Sequence, residues 1–302
     1  MTAPPLARAG VGGLPLVSLR AADGAAADVY SYGAHVTSWR PAPDMHERLF
    51  LSARSEFRAG AAIRGGIPVI FPQFATEGPL PRHGFARTSL WSLHSLEQRE
   101  EGDAVATFTL TDSPATHATW AAEFRLTLTV RVAGSRLQVM LGVENTGASP
   151  FSFAAALHTY LRVRDAEHAT VVGLQGARYR ESSAPALLHV DNEHAVRVSG
   201  PLDRVYVNAP RSVTLREPDR SLSVDMMDFP DMVLWNPGAA AARGLADMEP
   251  HAERAMMCIE AAVVQQPVAL ASEGRWHGTQ TLDAAPFIMP PAEPARRGHG
   301  AR

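Results

Sequence analysis

The segment Phe124-Arg125-Leu126-Thr127-Leu128-Thr129-Val130-Arg131-Val132 is followed by Ala133-Gly134-Ser135. Then comes Arg136-Leu137-Gln138-Val139-Met140-Leu141-Gly142-Val143-Glu144. Apolar and polar residues alternate in both arms, the period of a strand with one buried face. Gly134-Ser135 between them supplies turn chemistry, so the stretch predicts a β-hairpin. Asn145-Thr146-Gly147 closes its second arm.

The pattern extends both ways along the chain. Strands are expected at 14–19, 27–31, 34–39, 49–52, 89–96, 104–111 and 122–132. In the second half they are expected at 136–144, 151–163, 169–174, 195–198, 204–207, 212–217, 221–228, 232–235, 256–264 and 275–282. Only Ala239–Leu245 and Ala115–Ala122 invite helix. Many short strands and almost no helix predict an all-β fold, a large antiparallel β-sandwich. Neither an internal repeat nor a linker divides the chain. One β-sandwich domain over 14–285 is expected, with a flexible lead at 1–13 and a disordered tail at 286–302.

Composition narrows the function classes. A net charge of −3 leaves no electrostatic footprint for nucleic acid. No apolar run reaches the length of a membrane span. The single cysteine, Cys258, forms no internal disulfide and suits a reducing compartment. MTAPPLARAG holds no apolar core of signal-peptide length, so a cytoplasmic location is expected. Oligomeric state is left open.

A second stretch breaks the strand rhythm. Ile63-Arg64-Gly65-Gly66-Ile67-Pro68-Val69-Ile70-Phe71-Pro72-Gln73-Phe74 continues into Pro81-Arg82-His83-Gly84-Phe85-Ala86-Arg87. The glycines permit positive φ or close backbone approach. Pro68 and Pro72 remove two donors, which excludes a central strand. A rigid, folded-back segment presenting Arg64, Gln73, His83 and Arg87 is expected. Two guanidinium forks suit an anionic oxygen cluster such as phosphate. The alternative is that each pairs with a carboxylate such as Glu56 or Glu77.

IRGGIPVIFPQF followed by HGFAR resembles the signature of the hexose-6-phosphate mutarotases, or glucose-6-phosphate 1-epimerases, a branch of the aldose 1-epimerase superfamily. Leu157-His158-Thr159-Tyr160, Asp203-Arg204-Val205-Tyr206, Leu234-Trp235-Asn236-Pro237 and Cys258-Ile259-Glu260 fit the same family in order. The resemblance runs from about Tyr30 to Leu282 and implies a galactose mutarotase-like fold. It also implies interconversion of the α and β anomers of a hexose 6-phosphate. The sequence departs from relatives at Arg82, where Gln is common, and at Ala261-Ala262, where a Gly or Pro-Gly turn is usual.

Mutarotation opens a pyranose ring and closes it on the other carbonyl face. A base takes the anomeric hydroxyl proton and an acid protonates the ring oxygen, with no metal, nucleotide or redox cofactor required. An imidazole near pH 7 does either job, and a carboxylate ending an apolar run is costly unless paired or used. His158 and Glu260 meet those descriptions, but the residues alone leave a hydrogen-bonded core His and an ion-paired core Glu equally open. The resemblance makes His158 the acid and Glu260 the base, both facing one pocket with room for a sugar ring between them. It places His83 on a sugar hydroxyl. Asp203 is expected either to accept from sugar hydroxyls or to pair with Arg204. Arg64 and Arg87, together with Arg204, are expected on the phosphate, and Gln73 adds a neutral hydrogen bond. Trp235 is read as core, with packing near the sugar as the alternative, Trp276 and Gln280 as structural, and Cys258 as a small buried hydrophobe. The remaining function alternatives are an epimerase of unphosphorylated aldoses and a non-catalytic sugar-binding sandwich. Asp225, Asp228 and Asp231 lack the glycine and glutamate of a calcium loop. His189 and His194 have no further ligands nearby, and Gly65-Gly66 is followed by no P-loop Lys.

Overall fold

The structure, a computed structural model, describes residues 7–42 and 44–284. Two large sheets form the body. In the first the order is 195–197, 170–172, 212–216, 221–227, 275–283, 136–145, 124–133, 104–111, 92–98. In the second it is 184–190, 178–181, 202–207, 231–236, 256–270, 151–157, 69–70, with 160–162 also pairing onto 256–270. A smaller sheet joins 8–9, 15–20, 26–30 and 35–40. Every named strand pair is antiparallel. The sequence-predicted hairpin spans Phe124–Asn145 and pairs in continuous register.

Alternation sorts each strand's side chains. Leu126, Leu128, Leu141, Val224 and Leu282 of the first sheet meet Tyr206, Met232, Leu234, Leu157, Ile259 and Ala261 of the second in one buried cluster. The other face of the second sheet carries a smaller apolar floor: Ile70, Ala156, Val205, Val233, Ala262 and Val264. Residues directly opposite across antiparallel strands share a face. Registers Arg180↔Val205, Val205↔Val233 and Val233↔Glu260 therefore make one cross-strand row on that outer face. Asp203, Trp235, Cys258 and Tyr160 make the next row.

Three expectations are corrected. Residues 8–13 are no loose lead: Arg8–Ala9 pairs with Pro15–Leu16 and Val11–Gly13 makes a short turn of helix. The proposed strand 151–163 is broken at His158-Thr159. An unforeseen hairpin occupies Arg178–Glu181 and Ala184–Val190. The two helices are single turns, Pro114–His117 and Gly238–Ala242. Residues 1–6 and the expected tail fall outside the described residues. No helix is long and apolar enough to cross a membrane among the described residues.

Candidate active site

The Ile63–Arg87 stretch doubles back against the second sheet, with Val69–Ile70 as an edge strand, as the two prolines require. Its glycines make the approach possible. Gly65 and Gly66 hold φ of 112° and 63°, and a Cβ on Gly66 would lie 2.2 Å from the Val36 carbonyl oxygen. The Gly66 N–H donates to Phe50, and its carbonyl accepts from Tyr160 N–H. The segment is thereby fixed between the small sheet and the strand break at His158.

At that break the His158 N–H donates to the Pro68 carbonyl. The Thr159 hydroxyl donates to Gln280, whose amide donates to the Ile259 carbonyl. Gln280 thus ties the break to the strand that carries Glu260, the structural role expected for it. The result puts His158 Nδ1 3.3 Å from Glu260 Oε1. Both residues are buried, at 7% and 1% exposure. The expected gap for a sugar ring between them is absent; the two groups face each other directly. Tyr160 stacks on the His158 ring, at 4.7 Å and 8°, while Trp235 and His83 meet it edge-on at 5.8 and 5.7 Å. Trp235 is therefore a wall of the site rather than a core residue. Cys258 also reaches it: ligand atoms of His158, Cys258 and Glu260 all lie within 4.8 Å of one another.

The arginines depart from expectation in detail. Neither Arg64 nor Arg87 pairs with Glu56 or Glu77; those carboxylates bind Arg58 and Arg180. Arg64 Nε and Nη2 reach Asp247 at 3.1 and 3.0 Å, and Nη1 donates to the Tyr160 hydroxyl at 3.0 Å. Arg87 has no carboxylate partner among the described residues; its guanidinium donates to the Arg82 carbonyl. Each of the two lies within the other's field, and Arg82 adds a third positive charge.

Arg204 does not belong to this group. Alternation turns it to the opposite face from Asp203, where it pairs with Asp191 at 3.1 Å and lies over Tyr179. Asp203 stays on the site's face and accepts from Ser182, not Arg204. Gln73 also has another task. Its amide donates to the Ala75 and Leu80 carbonyls and accepts from Leu80 N–H, which holds the 75–80 loop. His83, at φ 67°, accepts from Ala75 N–H through Nδ1, so its proton sits on Nε2.

The roles of Arg180, Glu77, Tyr160 and Asp247 in the site were not foreseen. Arg180 is 3% exposed and gives one guanidinium nitrogen to both Glu77 oxygens, at 2.9 and 3.0 Å, and another to Gln265. The clasp joins the sheet to the loop before His83.

Burial dominates the electrostatics. It lifts Glu260 well above the ordinary carboxylate range, with Asp203 adding to the rise and Arg87 opposing it. Burial lowers His158 well below the ordinary imidazole value, and His83, Arg87 and Arg64 lower it further. Both members thus favour their uncharged forms, with one proton between them. His83 is lowered to about 3 by burial and then by Arg87, Arg82 and Arg64. A groove of about 700 Å³ between Phe229, Gln265 and Trp276 offers no comparable chemistry. The buried titratable group lining it, Asp231, is consumed by the N–H groups of Asn208, Val264 and Gln265.

A buried imidazole against a buried carboxylate, walled by aromatic rings and flanked by cations, is equipped for proton transfer. Comparison with known proteins agrees: the aldose 1-epimerase family matches residues 15–283. The chain belongs to the aldose 1-epimerase family. It is an epimerase, and its substrate is a sugar. A candidate glucose-6-phosphate 1-epimerase of Cenchrus ciliaris is 32% identical, over 95% of this chain and 91% of the relative. One from Escherichia coli is 34% identical over 84% and 85%. The crystal structure of a candidate mutarotase from Salmonella typhimurium superposes with a TM-score of 0.85 at 28% identity, covering 93% of both chains.

Proposed function

We propose that this epimerase interconverts the α and β anomers of a hexose 6-phosphate, glucose 6-phosphate foremost. The observation that carries the phosphate is Arg87: a half-buried guanidinium without a carboxylate partner among the described residues, beside Arg64 and Arg82 and within the field of the His158–Glu260 pair. A phosphate dianion satisfies several such donors at once. Arg64, already held by Asp247 and Tyr160, contributes its charge and Arg87 contributes free donors.

The contact between His158 and Glu260 fits ring opening. The anomeric hydroxyl and the ring oxygen are bonded to the same carbon, so an acid and a base in contact serve both without enclosing the ring. One group takes the hydroxyl proton while the other protonates the ring oxygen as the C1–O bond breaks. After rotation about C1–C2 the same transfers run in reverse on the other carbonyl face. In this reading Glu260 in its ionised form is the base and protonated His158 the acid. That state is a tautomer of the resting pair and holds the same single proton. His83 Nε2–H and Asp203 are placed to hold sugar hydroxyls.

Polarimetry on fresh α-glucose 6-phosphate and α-glucose tests the reading. The native protein is expected to favour the phosphate ester. Arg87→Ala is expected to raise KM for the ester about 10–100-fold with little change in kcat, because a charged hydrogen bond remote from C1 stabilises ground and transition states alike. Equal turnover of both sugars by the native protein would move the assignment to an epimerase of unphosphorylated aldoses.

A further inference from the structure

We propose that the His158–Cys258–Glu260 cluster is an inhibitory site for a thiophilic divalent cation, Zn²⁺ in particular. The inference rests on the catalytic reading of His158 and Glu260 for its inhibitory consequence, but not for binding. Cys258 has no part in the proton transfers. Strand register nonetheless places it on the site's face, between Trp235 and Tyr160 and two residues before Glu260. An imidazole, a thiol and a carboxylate within 4.8 Å supply the N, S and O ligands that zinc takes together. Two of the buried side-chain polar atoms that lack a partner belong to this cluster, His158 Nδ1 and Glu260 Oε2. Such atoms are costly to leave unsatisfied; a cation on His158 Nδ1 satisfies the first, and binding through both carboxylate oxygens, Oε1 already 3.3 Å from Nδ1, satisfies the second.

Geometry and charge permit the ion. Zinc–ligand bonds of about 2.0–2.3 Å separate tetrahedral ligands by roughly 3.3–3.6 Å. His158 and Glu260 already stand 3.3 Å apart, so the thiol alone has to close by about an ångström. Binding exchanges the ion for the Cys258 thiol proton and the proton of the His158–Glu260 pair, both released to solvent. Two protons leave as two positive charges arrive, so Arg64 and Arg87 meet no added charge. The three side chains leave a fourth coordination position for water. With both proton-transfer groups ligated, ring opening stops.

Cobalt reports the thiolate ligand. Titrating the full chain with Co²⁺ is expected to produce a near-ultraviolet thiolate-to-cobalt band at one ion per chain, displaced by Zn²⁺. Cys258→Ala is expected to abolish the band, and Cys258→Ser, close in size, guards against a folding defect. Micromolar Zn²⁺ is expected to slow anomerisation in the native protein, while Cys258→Ala turns over normally and needs at least 10-fold more Zn²⁺ for the same inhibition. Absence of the band in the native protein, or equal zinc inhibition of both proteins, overturns the proposal. A band in a native protein that moves no anomer would retain the site and sink the catalytic reading instead.

Discussion

At Glu260 a carboxylate 1% exposed has no cationic partner in contact, and its oxygen Oε2 has no hydrogen bond. A core ion pair would have had a partner; the structure offers only His158, whose own burial disfavours charge. Glu260→Gln and His158→Ala are each expected to lower kcat about 10²–10⁴-fold, the usual contribution of a general acid or base, while circular dichroism stays native. A well-folded variant with near-native turnover would remove that residue from the mechanism. The pH profile follows from the shared proton. Acid activity is lost when His158 is protonated along with Glu260, which its lowered value places below about pH 6.5. Alkaline activity is lost when Glu260 ionises with His158 neutral, which its raised value places above about 4.5. The acid limb of kcat/KM is therefore expected below pH 6.5, and an acid limb at or above 6.5 would contradict it.

Among elements, the loop from Ala75 to His83 depends on partners distant in sequence. Gln73 holds its start and the Arg180–Glu77 clasp fastens its middle to the sheet. Glu77→Ala would leave a buried guanidinium nitrogen unpaired. It is expected to destabilise the protein by roughly 1–3 kcal/mol. It is also expected to raise KM more than it lowers kcat, since His83 and Arg82 lose their support. Urea unfolding and initial rates measure both, and unchanged values would show that the clasp carries nothing. Arg180 also shows what was hidden in the sequence. Strands whose buried face is apolar, such as 104–111 and 124–133, were legible from alternation alone. Arg178-Tyr179-Arg180-Glu181 was not, because the buried residue it presents to the site's face is a charge neutralised by Glu77 about a hundred positions away. The same holds at the site. His158 and Glu260 face one site, as the resemblance implied, with His83 and Asp203 beside them, whereas Arg204 was misplaced because adjacent strand residues point to opposite faces. The Asp247 partner of Arg64 carried no local signal.

At the scale of the whole molecule, three histidines among the described residues are buried and uncharged. His35, under the Ile63–Arg87 stretch, contacts the Gly65 carbonyl through Nε2 at 2.7 Å and is lowered to about 4, chiefly by burial. His83 is lowered to about 3, and His158 lies well below its ordinary value. In the unfolded chain each titrates near 6.5. Below that pH the unfolded state binds protons that the native state refuses, so stability falls as pH falls. Glu260 acts the other way: its raised value lets the native state hold a proton the unfolded chain has released above about 4.5. Glu260 and Asp203, which burial also raises, oppose three imidazoles, so the histidines prevail once most unfolded imidazoles are charged, below about pH 6. Most ordinary carboxylates are still ionised between pH 5 and 6, so the slope there belongs to these histidines. Thermal unfolding at pH 7.5, 6 and 5 is expected to show Tm falling more steeply from 6 to 5 than from 7.5 to 6. His35→Gln, which keeps a donor for Gly65 but cannot titrate, is expected to make that fall clearly shallower. A Tm independent of pH from 6 to 5 would mean that the buried imidazoles accept protons without cost, and the interior around the Ile63–Arg87 stretch would have to be far wetter than its packing indicates.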